Sequence, residues 1–173
     1  MSFDISHAIE ILERTPSVLE SMLKNLSDDW ITKNEGRETW TSYDVVGHLI
    51  HGEKTDWIPR LEVILSDKPI RKFTPFDRFA QFNESKGKTL QQLLDEFALL
   101  RRENIQKLKS KRIAEKDYTR TAIHPSLGEV TLAQLLSTWV VHDLDHLYQI
   151  SRVFAKQYTS EVGPWIEYLK ILK

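Results

Sequence analysis

The sequence predicts an all-α protein, a four-helix bundle with long connections and a short C-terminal helix. Apolar residues recur at helical spacing in four long segments, which is the pattern of helices that bury one face. The connections after the second and third segments are long and contain the prolines, glycines and strand-like residues of non-helical structure. No repeat, low-complexity tract or change of composition divides the 173 residues, so we expect a single domain over residues 1–173.

The first helical segment is expected to be interrupted. A helix begins near Ile5, and the pair Thr15-Pro16 stops it. Pro16 suits the first position of a continuing helix, and Ser17 with Glu20 has the spacing of a capping box. The continuation places apolar residues on one face and gives way to a polar connection. These apolar residues are Val18, Leu19, Met22, Leu23 and Leu26.

The second helix begins at Thr41 or Ser42, where Asp44 has the spacing of a capping box with Thr41. It continues to about Ser66, with a bend near Pro59 because proline removes a helical hydrogen bond. We expect an irregular connection over 67–88.

The third and fourth helices begin with the same kind of cap. Thr89 with Gln92 starts the third, and Thr131 with Gln134 starts the fourth, which runs to about Phe154. The linker between them has strand-like residues at 118–123, followed by turn formers. A Gly-Pro pair at 163–164 separates the fourth helix from a short terminal helix at 165–172.

The composition excludes several classes of function. The formal net charge is −1, so we expect no nucleic-acid or membrane partner, and the basic runs 101–102 and 107–112 are interpreted as a solvated helix face. The chain has no cysteine, which excludes disulfides, thiolate metal ligands and a cysteine nucleophile. The N-terminal segment does not resemble a signal peptide, and no apolar run approaches the roughly 20 residues of a membrane span, so we expect a cytoplasmic protein.

Two histidines of the fourth helix give the strongest functional signal. His142 and His146 are four residues apart, which places both imidazoles on one helix face. Such a pair binds a metal ion when a donor from another helix joins it, and His48 is the first candidate, with His51 as the alternative. Three imidazoles without cysteine leave coordination positions for water or substrate, which favours catalysis. His124 lies in an extended loop, and we expect it outside the site.

Three aspartates are candidate catalytic residues. Asp143 falls on the apolar arc of the fourth helix, either as an acceptor that orients an imidazole or as a salt-bridge partner of another helix. Asp145 lies at the edge of the ligand face, within reach of a metal-bound water. Asp56 lies two turns after His48 and is a candidate for proton transfer. Gly52 either leaves space over His48 or allows close helix packing.

Four segments resemble the DinB/YfiT-like superfamily of metal-dependent enzymes. They are LERTPSVL (12–19), WTSYDVVGHL (40–49), HPSLGEVTLAQLL (124–136) and WVVHDLDHLYQI (139–150), and the likeness covers essentially the whole chain. The resemblance implies a four-helix bundle that holds a divalent metal, commonly nickel or zinc, on His48, His142 and His146. Many members have the pattern H-x-x-H-H where this chain has H-D-L-D-H, so Asp145 replaces the inner histidine.

The resemblance also implies a function. A divalent metal lowers the pKa of water or of a thiol, so the expected enzyme activates one of them for attack on a small electrophilic substrate. Transfer of a low-molecular-weight thiol ranks ahead of hydrolysis by family analogy alone, and a homodimer is common in the family. Two alternatives stay open. One is a non-catalytic metal-binding stress-response or ligand-binding protein, and the other is a helical interaction module whose histidines are core residues.

Overall fold

The computed structural model describes residues 3–173 and contains eight α-helices. In chain order they are α1 (Ile5–Leu12), α2 (Thr15–Leu23), α3 (Asp28–Thr32), α4 (Ser42–Thr55), α5 (Trp57–Leu65), α6 (Ala80–Glu84), α7 (Leu90–Ser110) and α8 (Leu132–Lys156). The pairs α1–α2 and α4–α5 each form one long interrupted unit, and α7 and α8 complete the set of four. The predicted four-helix bundle is confirmed.

Both interruptions are explained by proline in the first turn of the following helix. Pro16 is the second residue of α2, where the missing N–H has no intrahelical partner to lose. Pro59 is the third residue of α5, so the predicted bend lies slightly earlier, at Asp56. The predicted capping box at Ser17 is wrong, because α2 begins at Thr15 and the Ser17 hydroxyl donates to a backbone carbonyl of the preceding turn.

Capping boxes begin α4, α7 and α8 as predicted. The pairs are Thr41–Asp44, Thr89–Gln92 and Thr131–Gln134. In each pair the threonine hydroxyl accepts from the backbone N–H three residues later, and the side chain of that later residue accepts from the threonine N–H. These local hydrogen bonds set the start of three helices, and two of them, α4 and α8, carry the histidines of the predicted site.

The connections contain more structure than the sequence predicted. α3 lies in the first connection, where Trp30 packs edge-on against Phe154 of α8. α6 lies in the second and packs on α4. The third contains an antiparallel hairpin of β1 (Thr121–His124) and β2 (Gly128–Thr131). Ile123 of β1 also exchanges backbone hydrogen bonds with the second connection, through Arg71 and Phe73. The second and third connections are therefore tied together.

The C-terminal segment differs from the prediction. Instead of a short α-helix, it forms two 3-10 helices, Gly163–Tyr168 and Lys170–Leu172. The second of these packs against α8, where Leu172 is buried and its carbonyl accepts from Lys156 Nζ at 2.8 Å. None of the helices in the described chain combines the length and apolar character of a bilayer span.

The bundle core consists of two apolar clusters. The first contains Leu12, Trp57, Ile58, Leu61, Ile64, Phe73, Ile105, Leu108, Ala122, Leu132, Leu135, Leu136 and Trp139. The second contains Leu19, Leu23, Val45, Val46, Leu49, Ile50, Leu93, Leu94, Phe97 and Ile150. In each of the four helical units, buried polar residues separate the part of the chain in one cluster from the part in the other. We call these residues the polar layer. Its members are Thr15, Glu53, Arg101, Asn104 and Asp143.

Gly47 sets the close approach of α6 to α4. A Cβ atom at position 47 would overlap Ser85 Oγ and touch the Gln81 side chain, both of which are buried. We expect Gly47→Ala to lower the free energy of unfolding by about 1–2 kcal/mol, because overpacking outweighs the better helix propensity of alanine. Urea unfolding measures this change.

The matched variant removes the obstructing hydroxyl. In Gly47→Ala/Ser85→Ala the clash is relieved, so the double variant should recover most of the lost stability. A double variant that is as unstable as Gly47→Ala alone would contradict this explanation of the α4–α6 contact.

Candidate metal centre

Three histidine Nε2 atoms meet where α4 faces α8. His142 Nε2 lies 3.1 Å from His48 Nε2 and 3.1 Å from His146 Nε2. One ligand atom from each of the three residues can be chosen so that all lie within 4.8 Å of one another. The structure thus brings together the three histidines singled out in the sequence, and their role as metal ligands stays a prediction.

The separations of His142 Nε2 from the other two Nε2 atoms are compatible with one shared divalent ion. With nitrogen–metal bonds of about 2.0–2.1 Å, two neighbouring ligand nitrogens lie about 3.3–3.4 Å apart on a tetrahedral ion and about 2.8–3.0 Å apart on an octahedral one. The observed 3.1 Å lies between these values. Without a shared cation the arrangement is unfavourable, because a neutral His142 Nε2 cannot satisfy two nitrogen neighbours with a single lone pair or proton.

Burial keeps these imidazoles neutral. The pKa of His48 is lowered from 6.5 to about 3, mainly by desolvation and in smaller part by the neighbouring His146. Desolvation likewise lowers the pKa of His142 to about 2, and the pKa of His146 is also lowered, mainly by burial. A neutral ring keeps a nitrogen lone pair for a metal ion at neutral pH.

Gln149 orients one of the three rings. His146 Nδ1 lies 2.8 Å from Gln149 Oε1, which has no hydrogen to donate and therefore accepts from the Nδ1–H. This hydrogen bond leaves the lone pair on Nε2, the atom that faces the other imidazoles. His48 Nδ1 and His142 Nδ1 are buried, and neither has a hydrogen-bond partner among residues 3–173. Their rings are held instead by aromatic packing on Trp40 and Trp57.

Gly52 makes room for an indole. A Cβ atom at position 52 would lie 3.3 Å from Trp57 Nε1. The Trp57 ring in turn packs edge-on against His142, with ring centroids 5.1 Å apart, and stacks on Trp139 at 5.6 Å. Gly52 is therefore closely packed, against an indole rather than against another helix, and it also lines the cavity with His48.

The three histidines line a cavity of about 1100 Å³. Such a volume is slightly larger than the roughly 300–1,000 Å³ of typical small-molecule sites. Aromatic side chains from α5 and from the second connection form much of its wall, together with Trp40. They are Trp57, Phe73, Phe76 and Phe79. The cavity can therefore admit a small molecule to the imidazoles.

Two of the three candidate aspartates line this cavity. Asp56 is buried and forms an ion pair with Arg60 Nε at 2.6 Å. Burial raises its pKa from 3.8 to about 6, although the positive charge of Arg60 opposes the rise. Asp145 is exposed at the cavity wall, beside His146, and its charge acts to raise the pKa of that imidazole.

Asp143 lies in the polar layer, and its carboxylate binds Arg101 and Thr15 rather than an imidazole. Its Oδ2 accepts from Arg101 Nη1 at 2.5 Å and from the Thr15 hydroxyl at 2.6 Å, and its Oδ1 accepts from Arg101 Nη2 at 2.9 Å. Within residues 3–173, no imidazole donates to this carboxylate. Of the two predicted roles, the salt bridge to a neighbouring helix is the one that the geometry shows.

Arg101 is the centre of the polar layer, and its interpretation as part of a solvated face is wrong. The side chain is almost completely buried and donates to the Leu12 carbonyl and to Glu53 Oε1 as well as to Asp143. Glu53 also accepts from Trp139 Nε1 at 3.0 Å. The sequence did contain a signal, because position 101 follows the apolar stripe of α7, four residues after Phe97 and four before a buried isoleucine.

Two further histidines, His51 and His124, lie near the candidate site. His51 is buried but turns to Glu84, whose Oε1 lies 3.0 Å from His51 Nδ1, so it does not join the three converging rings. His124 lines the cavity, contrary to expectation. Its Nδ1 lies within hydrogen-bonding distance of the backbone N–H groups of Ser126 and Leu127 and accepts from them. The β1–β2 hairpin brings His124 to the cavity, and the extended backbone expected before Pro125 did not predict this position.

Comparisons with known proteins agree with this architecture. A sequence model of the DinB superfamily matches residues 11–150. Among solved structures, the chain is similar to YfiT from Bacillus subtilis, with a TM-score of 0.74 and 21% identity over 88% of this chain and 86% of that one. That protein is described as a probable metal-dependent hydrolase with an unusual four-helix bundle topology. Comparison with the curated proteins finds no match.

Proposed function

The chain belongs to the DinB superfamily, and we propose that it is a divalent-metal-dependent enzyme acting on a small electrophilic substrate. His48, His142 and His146 hold the ion through Nε2. The convergence of these three atoms, 3.1 Å apart in two pairs at the wall of a large cavity, is the observation that carries the proposal. A divalent ion supplies Lewis-acid chemistry, which lowers the pKa of water or of a thiol.

The three aspartates have different roles in the proposed reaction. Asp56 accepts the proton of the nucleophile and returns it to the leaving group, because a carboxyl with a pKa near 6 exchanges protons readily at neutral pH. Asp145 accepts a hydrogen bond from the incoming nucleophile at the cavity edge. Asp143, held by Arg101, keeps the α8 histidines in register with α4 and has no direct contact with substrate.

Two reaction classes share this machinery. In thiol transfer, the sulfur of a low-molecular-weight thiol bonds to the electrophilic carbon and the leaving group departs with its electron pair. The thiol comes from a cosubstrate, since the chain has no cysteine. In hydrolysis, water takes the place of the thiol. The family resemblance supports the first, and the description of YfiT supports the second. The three imidazoles suit nickel or zinc as the bound ion. The family resemblance also supports a homodimer.

Metal content tests the ligand set. We expect protein purified without a histidine tag, supplied with Zn²⁺ or Ni²⁺ and passed through gel filtration, to retain about one ion per chain. His142→Ala should lose the ion. His51→Ala is the matched control and should keep it, because that ring faces Glu84. Metal retained by His142→Ala, or no metal in the wild type, would contradict the site.

Turnover separates an enzyme from a metal-binding protein. The metal-loaded protein is incubated with monochlorobimane and a panel of thiols, and with a nitrophenyl ester for hydrolysis. We expect a metal-dependent rate with one of them, lost in His142→Ala and reduced about 100-fold or more in Asp56→Asn. A full equivalent of metal without any such rate would favour the non-catalytic alternative.

Gln149 offers a further prediction about metal binding. Gln149→Leu removes the acceptor that holds His146 Nδ1–H, so metal affinity should fall about 10–100-fold. Gln149→Glu restores an acceptor and should restore affinity. Competition with a chromogenic chelator measures both. Gln106→Leu, an exposed position on α7, is the control, and equal affinities for Gln149→Leu and this control would exclude the orienting role.

A further inference from the structure

Arg60 is held rigidly at the cavity wall. Its side chain is only 12% exposed, and its Nε lies 2.6 Å from Asp56 Oδ1. Its guanidinium carbon lies 5.0 Å from the centre of the Phe73 ring, so the flat group is supported on one face as well as at one edge. A side chain fixed in this way loses little conformational entropy when it binds a ligand.

The terminal nitrogens of Arg60 are not used by the fold. Neither has a hydrogen-bond partner among residues 3–173 and neither is fully buried, so both are available to a ligand in the cavity that Arg60 lines. Arg101 behaves differently, since its two terminal nitrogens are taken by Asp143, Glu53 and a backbone carbonyl. If a mostly buried arginine only stabilises the fold, its terminal nitrogens are expected to have hydrogen-bond partners within the protein, as those of Arg101 do.

His124 packs on the same aromatic ring as this guanidinium. Both groups pack on Phe73, whose ring centre is 6.1 Å from that of His124. Burial lowers the pKa of His124, and the positive charge of Arg60 lowers it as well. Because the backbone N–H groups of the hairpin turn donate to His124 Nδ1, the neutral ring carries its hydrogen on Nε2. The cavity is therefore lined by an imidazole N–H donor and a guanidinium that pack on the same aromatic ring.

We infer that Arg60 and His124 form a subsite for a carboxylate group of the ligand. A guanidinium presents two parallel N–H groups that match the two oxygens of a carboxylate, and the imidazole N–H adds a third donor. The neighbouring aromatic wall, which includes Phe73 and Phe76, suits a flat apolar body. The ligand class is a small carboxylic acid with an aromatic or similar apolar part. Its identification as the substrate rests on the proposed function.

Binding of a matched pair of probes tests this subsite. Phenylacetate and phenylacetamide have the same apolar body and differ in the carboxylate. They are titrated into the full chain in EDTA and followed by NMR, so that no metal ion can bind the carboxylate. We expect phenylacetate to bind about 10-fold more tightly, as hydrogen bonds to a charged group predict. Arg60→Met should reduce this preference to less than about 2-fold, and His124→Gln should reduce it in part.

Controls make the result decisive. Arg102→Met, exposed on α7, and His142→Ala should both keep the preference, the second because the subsite does not need the metal. Arg60→Lys keeps the charge without the fork and serves if Arg60→Met fails to fold. Equal affinity for the two probes in the wild type would overturn the inference. So would loss of the preference in Arg78→Gln, another cavity arginine, while folded Arg60 variants retain it. A metal-free protein that still prefers phenylacetate would separate this inference from the proposed function.

Discussion

Replacing Arg101 with methionine is expected to lower the free energy of unfolding by about 3–5 kcal/mol, because it leaves buried carboxylates without their cation. Both Glu53 and Asp143 are almost completely buried and both bind this guanidinium. The backbone carbonyl of Leu12 loses its donor as well. Such a loss is a large part of the stability of an ordinary domain.

Urea unfolding at neutral pH measures the effect. The matched control is Arg102→Met, the next residue along α7, which is exposed and should change stability by less than about 0.5 kcal/mol. Neutralising the partners as well, in Arg101→Met/Glu53→Gln/Asp143→Asn, should recover part of the loss. If Arg101→Met is as stable as Arg102→Met, the polar layer does not hold the bundle together as we describe.

The same residue should matter for the metal centre. Asp143 lies between His142 and His146 on α8, and Glu53 lies on the α4 helix that carries His48. Arg101 therefore fixes the spacing of the two helices that supply the imidazoles. Arg101→Lys keeps a cation but loses the two-sided fork, so we expect a folded variant with weakened metal affinity.

Acid is expected to destabilise the metal-free protein through the buried imidazoles. The pKa values of His48 and His142 are about 3 and 2 in the folded state, against 6.5 for an exposed imidazole. Below pH 6.5 the unfolded chain therefore takes up protons that the folded chain does not. At pH 4.5 this proton uptake lowers the free energy of unfolding by about 2–3 kcal/mol for each ring.

Asp56 acts in the opposite direction. Its pKa is about 6 in the folded state and 3.8 ordinarily, so its contribution to stability is present at low pH and lost as the pH rises through about 6. At pH 4.5 the protonated Asp56 raises the free energy of unfolding by about 2 kcal/mol relative to neutral pH. Together, the two imidazoles and Asp56 therefore lower the free energy of unfolding by about 3 kcal/mol. Asp56→Asn lacks the contribution of Asp56, so its free energy of unfolding should fall more steeply as the pH is lowered.

Unfolding in EDTA between pH 7.5 and 4.5 measures both slopes. His7→Gln, at an exposed position, is the control and should follow the wild type. A free energy of unfolding that stays constant over this range, or identical slopes for the wild type and Asp56→Asn, would contradict the buried neutral state of the imidazoles and the protonation of Asp56.

Short-range chemistry explains which features of the fold were predictable. The capping boxes at Thr41, Thr89 and Thr131 involve residues three apart, and the spacing of His142 and His146 follows from helical geometry. α3 and α6 were missed because five-residue helices lack a periodic pattern and depend on packing, such as that of Trp30 on α8.

The order of residues along the chain was enough to define the helical segments, the starts of the long helices and the pair of imidazoles on one face of α8. Packing between distant segments was needed to establish that His48 rather than His51 meets that pair, that Asp143 binds Arg101, and that a hairpin brings His124 to the cavity. The difference follows from the range of the interactions. A cap or a helical face is set within one or two turns, whereas the partner of a buried charge or ring is set by how distant helices and loops pack.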